Sequence, residues 1–259
     1  MLYRVGGYVR DSIMGLEPTD IDYVFVQEGA TFEDLREFLL ASGYTIILAS
    51  PEYLTIRAKD SRTREVIDFS LPRKDVAYSS DSRRPQTAAA SLYEDLARRD
   101  YTANAIAEGS DGTLIDPFQG VGAIHARILD TPSDPLTTFM DDPLRVLRGF
   151  RFCITHGFRF ADRILPHLAN PQVWGKLRRC VSAERIRTEL EKCFKFSTIS
   201  TMLFLSEHCT RDMMTILFEN IVLKPAISTV KCKSTYREVP ILRTLREARS
   251  LIGTSSLTS

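Results

Sequence analysis

The sequence has little of what marks a secreted, membrane-spanning or strongly charged protein. Its five cysteines (Cys153, Cys180, Cys193, Cys209, Cys232) are odd in number and form no Cys-x-x-Cys pair. A disulfide framework and a zinc site are therefore not expected, and a reduced intracellular compartment, the cytoplasm, is the simplest setting. No apolar run approaches the roughly 20 residues that cross a bilayer. The start reads as a strand rather than a basic, cleavable leader, so no signal or transit peptide is expected. Net charge is only +1, which argues against a chain that coats nucleic acid by bulk charge; a nucleic-acid site has to be a local basic patch. No internal repeat is found. At 259 residues the chain can bury a real core, as one large domain or two small ones.

What is there divides into three stretches. Residues 1–128 mix strand and helix patterns. Leu2 to Val5 and Asp22 to Val26 read as strands, with a helix over Tyr8 to Met14 between them. Phe32 to Ser42 has helical spacing (Phe32, Leu35, Phe38, Leu39) and stops at Gly43. Thr45 to Ala49, Tyr53 to Ala58 and Glu65 to Phe69 read as further strands, and residues 78–90 as a mobile polar loop. Residues 129–223 turn helical: Leu144, Leu147, Phe150 and Phe152 line one face, Ser182 stands as an N-cap before Ile186, Leu190 and Phe194, and Met202 to Leu223 continues as helix. Residues 224–259 carry seven Lys or Arg against two Glu and end Thr/Ser-rich, which reads as a basic, partly disordered segment.

Three constellations carry chemistry. Gly6-Gly7 opens a helix, where backbone N–H groups favour phosphate, and Asp20 and Asp22 stand two apart on a strand, so both carboxylates aim at one spot. Such a pair can hold one divalent cation or bridge two. The bland alternative is a solvated turn. Asp68, inside the apolar run Val66-Ile67-Asp68-Phe69, is a third candidate, since a carboxylate seldom sits there without a partner; an edge strand is the alternative. Arg98-Arg99-Asp100-Tyr101-Thr102-Ala103-Asn104-Ala105 offers arginine forks for phosphate. On a helix it also makes Asp100 and Asn104 neighbours able to bind ribose hydroxyls; alone it reads equally as a charged helix start. Asp141-Asp142-Pro143-Leu144-Arg145 opens a helix whose face carries Asp142, Arg145, Arg148 and Arg151 at steps of three. Arginines on an apolar helix are costly unless they meet anions, and the alternative is an ion-paired surface helix.

Together these segments resemble the class II tRNA nucleotidyltransferases, the CCA-adding enzymes, and the related bacterial-type poly(A) polymerases. Gly6 to Asp11 with Asp20-Ile21-Asp22 is similar to the family's catalytic motif, and Arg98 to Ala105 to its ribose motif RRDFTxNA. Asp116-Pro117-Phe118-Gln119-Gly120 is similar to its DxxxG linker. Asp141 to Arg151 is similar to the nucleotide-selecting EDPLRxLRxxRF, and Ser182 to Lys192 to ERIxxExxK. All five stand in order over residues 2–195.

The resemblance implies an α+β fold: a polymerase-β-like nucleotidyltransferase head with a mixed sheet and flanking helices, then an all-α neck and partial body. It implies addition of C and A to the 3′ end of tRNA from CTP and ATP with release of pyrophosphate. Mg²⁺ would sit on Asp20 and Asp22, with Asp68 as the third acidic position. Gly7 and Arg10 would contact the triphosphate, and Arg99, Asp100 and Asn104 the ribose. Asp142 and Arg145 would form a protein template for the base, with Arg148 and Arg151 supporting it. Asp142 can accept from an exocyclic amine and Arg145 can donate to the ring acceptor beside it, a pattern shared by cytosine and adenine and absent from uracil and guanine. Asp141 and Tyr101 replace the family's Glu and Phe, and the helical part that follows the last motif is short against the family's. Poly(A) polymerase or CC-only or A-only activity are the near alternatives, and an inactive RNA-binding derivative is one of a different class.

Overall fold

The computed structural model describes residues 1–18, 20–77 and 86–219, which fall within one compact unit spanning Met1–Val222. The basic segment 224–259 and residues 78–85 lie outside the described residues.

The chain begins β1 (Leu2–Val5), α1 (Gly7–Ile13), β2 (Asp22–Phe25), α2 (Phe32–Ala41), β3 (Tyr44–Ser50), β4 (Thr55–Asp60) and β5 (Val66–Ser70). A hairpin of β6 (Arg73–Ala77) and β7 (Gln86–Ala89) precedes α3 (Leu92–Ala97), a 3₁₀ turn (Thr102–Asn104), β8 (Ala107–Glu108), β9 (Leu114–Ile115) and α4 (Gly120–Ala126). Then come β10 (Ile128–Leu129), α5 (Pro135–Asp141), α6 (Leu144–His156), β11 (Arg159–Phe160), α7 (Leu165–Leu168), α8 (Pro171–Cys180), α9 (Ala183–Phe196), α10 (Thr198–His208) and α11 (Arg211–Phe218).

Seven strands form one mixed sheet in the order β3-β4-β5-β2-β1-β8-β9, parallel only between β2 and β5. Alternation decides its faces. Ile56, Ala58, Ile67 and Phe69 are buried with Leu35 and Leu39 of α2. The intervening Arg57 and Asp68 therefore point to the other face. A Thr31–Asp34 capping box starts α2, and Gly43 at φ +84° ends it. The larger core is helical, built on Phe139, Leu147, Phe150, Phe152, Trp174 and Leu190. The expected α+β head with a mixed sheet and flanking helices, followed by helices, is what the chain forms.

Four sequence expectations change. Residues 86–89 are not loop but strand, paired with β6 from Arg73↔Ala89 to Ala77↔Gln86, and Thr87 donates to the Glu52 carbonyl. Residues 202–218 are two helices, because the Thr210 side chain caps a new start by accepting from the Met213 N–H. Ser182 holds the N-cap position of α9 without a side-chain capping bond. Residues 98–105 are not an α-helix: α3 ends at Arg98 and only a 3₁₀ turn follows.

Gly149 shows how tightly head and helices pack. A Cβ there would lie inside van der Waals contact of Tyr101 Oη and the Phe160 ring. The Tyr101 hydroxyl donates to the Arg145 carbonyl at 2.8 Å. Gly149→Ala is expected to destabilise by at least about 2 kcal/mol through overpacking. Adding Tyr101→Phe should recover part of that loss, read as thermal midpoints of the two variants against wild type.

Candidate active site

One row of the sheet gathers the acids. Leu48, Arg57, Asp68, Asp22 and Val5 are successive in-register partners across β3, β4, β5, β2 and β1. They line a cavity of about 400 Å³ together with Ser50, Thr55, Arg73, Arg98 and Arg99. Asp22 and Asp68 thus stand side by side on parallel strands. Asp20, exposed and two residues earlier, acts on Asp22 as a like charge. Gly6 turns the chain at φ +70° above them. A Cβ at Gly6 would meet Arg99 Nη1 at 3.1 Å and Asp22 Oδ2 at 3.8 Å, so a bare glycine lets these two groups approach.

The electrostatics are opposed. Asp22 is exposed at the pocket, yet desolvation by the groups around it, then the Asp68 and Asp20 charges, push its pKa up, and Arg99 and Arg57 counter only in part. Among the described residues no three Asp, Glu, His or Cys side chains form a group that could hold a metal ion. Asp20 and Asp22 could offer a divalent cation two carboxylates, with oxygens of a ligand needed to complete the set. Asp68 is otherwise engaged: Arg57 donates Nε to Oδ1 and Nη2 to Oδ2, each at 2.7 Å.

A basic wall faces the acids. Arg73, Arg98 and Arg99 surround Asp95, which is fully buried. Arg98 and Arg99 pair with it at 2.7 and 3.0 Å, and the Arg73 backbone N–H reaches it at 3.3 Å. Burial works against ionised Asp95, but Arg99 and Arg98 outweigh it and hold the pKa below the ordinary value. The buried Nε groups of Arg73 and Arg99 have no hydrogen-bond partner. Two guanidiniums sharing one carboxylate, with that of Arg73 in the same pocket, leave positive charge that suits a polyanion such as a triphosphate. Asp95 and Arg73 were missed from sequence. The signal for Asp95 was its i+3 and i+4 spacing to Arg98 and Arg99.

The other candidates form a second layer. Arg10 is 7% exposed, donates to Asp11 at 2.8 Å and to Asn104 Oδ1 at 2.7 Å, and stacks on Phe152 at 4.7 Å. Asn104 donates to Asp100 at 2.8 Å, so the two are neighbours as expected, although by a 3₁₀ turn. Asp100 also takes Arg148 Nε at 2.7 Å. Arg151 meets Glu189 of α9 at 2.6 Å and stacks on Phe152 at 4.3 Å. The arginine face does meet anions, and in the structure those are Asp100 and Glu189. Gly7 is the first residue of α1 beside Gly6.

Asp142 is not on the helix with Arg145. Proline disfavours helical conformation in the preceding residue, and Asp142 is extended (φ −132°, ψ 99°) between α5 and Pro143. Its Oδ2 lies 3.4 Å from Arg185, while Arg145 Nη2 donates to the Arg98 carbonyl at 2.7 Å. Both remain half-buried, and Arg145 touches the basic wall through the Arg98 carbonyl.

Comparison with known proteins agrees with this fold. The model of the poly A polymerase head domain matches residues 2–130. The chain is similar to a CCA-adding enzyme of Anoxybacillus flavithermus, with 35% identity over 73% of this chain and 45% of that protein. A multifunctional CCA protein of Pseudomonas putida shows 35% identity over 74% and 49%. The chain spans about half the length of the curated relatives it matches. Among solved structures, the Bacillus stearothermophilus CCA-adding enzyme in complex with CTP superposes with TM-score 0.67 at 30% identity, covering 80% of this chain and 47% of that one. A tRNA nucleotidyltransferase complexed with a primer tRNA and an incoming ATP analog gives 0.67 at 26% identity, covering 86% and 60%. The chain belongs to the family of the poly A polymerase head domain, which it shares with the CCA-adding enzymes.

Proposed function

We propose that this protein adds C and A nucleotides to the 3′ end of tRNA, without a nucleic-acid template, from CTP and ATP. One observation carries the reading: Asp22, two residues after Asp20, shares a pocket with Arg73, Arg98 and Arg99. The relatives' names and bound nucleotides support the choice of substrates. Mg²⁺ held by Asp20 and Asp22 would balance triphosphate charge and lower the pKa of the attacking RNA hydroxyl.

The chain's own residues do the rest. Arg99, Arg98 and Arg73 receive the phosphates, and Gly6 and Gly7 let the backbone come close. Asp100 and Asn104, tied to Arg148 and Arg10, fix the turn that carries Arg99 and stand where the ribose side is expected. Asp142 and Arg145 supply an acceptor and a donor at the start of α6. Cytosine and adenine satisfy both. Uracil and guanine leave buried groups unpaired at about 1–3 kcal/mol each.

The test is incorporation on a tRNA lacking its terminal CCA. CTP alone should add C, ATP alone should add nothing to that acceptor, both together should complete CCA, and UTP and GTP should fail. A long A tail would move the protein to the poly(A) polymerases. A stop after CC, or addition of A only, would mark a partial enzyme. Absence of any incorporation overturns the reading in favour of an RNA-binding derivative.

A further inference from the structure

Arg57 belongs to no motif singled out from sequence, yet it occupies the catalytic row. Its partner across β4 and β5 is Asp68, and Asp68's partner across β5 and β2 is Asp22. The guanidinium covers both Asp68 oxygens, with two bonds of 2.7 Å. Asp22 and Asp68 both line the pocket, so Arg57 occupies the oxygens of the carboxylate next to Asp22. The pair is also half-exposed, 52% for Arg57 and 41% for Asp68. Solvent screens such a pair, so it is exchangeable and is not needed to hold the fold together.

We propose that Arg57 is a positioning residue that withholds Asp68 from the cation, leaving Asp20 and Asp22 as the resident donors. The inference rests on the reading of Asp20 and Asp22 as the cation site. Geometry, and not charge alone, does the withholding: a planar fork engages both oxygens at once, whereas an ammonium is a point charge that engages one. Arg57→Lys keeps the charge and releases an oxygen, which separates the two effects.

The experiment is a Mn²⁺ binding isotherm, followed by the electron paramagnetic resonance of free Mn²⁺, on the whole chain without nucleotide or RNA. Because cation affinity tracks the number and charge of oxygen ligands, Arg57→Lys is expected to bind Mn²⁺ about threefold more tightly than wild type and Arg57→Gln about tenfold. In an Asp68→Asn background Arg57→Lys should have no effect. Unchanged affinity in Arg57→Lys, or a gain that persists beside Asp68→Asn, overturns the proposal while the cation site stands. Asp22→Ala distinguishes the two failures. It should abolish the isotherm; if binding survives unchanged, the cation site itself is misplaced and the proposal falls with it. Thermal midpoints within about 2 °C of wild type for the Arg57 variants are expected, as for other exposed ion pairs.

Discussion

Asp22→Asn is expected to lower nucleotide incorporation at least about 10³-fold, the scale of a group that holds charge-stabilising machinery at the reacting centre. Stability should be unchanged or raised. Asp22 is the middle member of a row of acids: Asp68 is its direct partner on β5, and Asp20 lies two residues before it. Desolvation and these like charges raise its pKa. A carboxyl whose folded pKa lies above its unfolded one favours folding below the unfolded value, near pH 4, and that contribution is lost as pH rises through the folded pKa. At neutral pH the ionised group is therefore a cost to the fold, and an uncharged isostere removes it. The measurement is incorporation from CTP beside thermal midpoints at pH 7. Near-normal incorporation by a folded Asp22→Asn protein would dismiss the carboxylate from the chemistry. A collapse of the fold would show that Asp22 is structural instead.

Such a residue is readable from sequence because local rules define it. A glycine pair before a helix leaves room for other groups to approach, and an acid opening an apolar strand marks Asp22. The expectation that Asp20 shares that strand fails, because β2 begins only at Asp22 and Asp20 lies in the segment before it. The alternation of β4 and β5 likewise puts Arg57 and Asp68 on the face opposite Ile56, Ala58, Ile67 and Phe69. The neighbour relation is what local rules omit. That Asp68 lies beside Asp22, and Arg57 beside Asp68, follows from the parallel pairing of β5 with β2, a contact made over more than 40 residues of chain. The helical expectation for residues 98–105 erred for a related reason. Asp100 and Asn104 do meet, but Asp100 is held by Arg148 from 48 residues away and Asn104 by Arg10 from 94 residues away. These tertiary bonds favour a 3₁₀ turn over the helix that spacing suggested. Asp142 differs for a local reason: the proline after it disfavours the helix that its spacing to Arg145 suggests, and the residue is extended. Arg73 could not have been singled out at all: its place on the basic wall comes from a hairpin whose second strand looked like loop.

Asp100→Asn is the substitution expected to cost the fold most. The Asp100 side chain is 7% exposed and both its oxygens accept hydrogen bonds. Oδ2 takes Arg148 Nε at 2.7 Å, and Oδ1 takes the Tyr101 N–H at 2.9 Å and Asn104 Nδ2 at 2.8 Å. Neutralising it leaves Arg148 against the Phe152 ring without its hydrogen-bonded counter-ion and sets an amide N–H₂ against groups that only donate. Breaking a buried pair from one side costs about 3–5 kcal/mol. Arg148 keeps some solvent contact, so the lower end applies, and a protein of this size should lose roughly 6–12 °C in thermal midpoint. The pH dependence identifies the cause. Burial opposes ionisation of Asp100, but Arg148 and Asn104 outweigh it and depress the pKa. A depressed carboxyl stabilises the fold above its unfolded value, near pH 4, and that contribution is lost as pH falls towards the folded value. The gap between wild type and Asp100→Asn should thus be full at pH 7 and narrow below about pH 4. Because exchanging a whole buried pair for apolar packing is often neutral, Asp100→Asn with Arg148→Met should recover much of the loss. A single variant melting within 1 °C of wild type at pH 7, or a gap that does not narrow in acid, would show that the pair does not brace the turn carrying Arg99. In that case Asp100 would be free to serve the nucleotide directly.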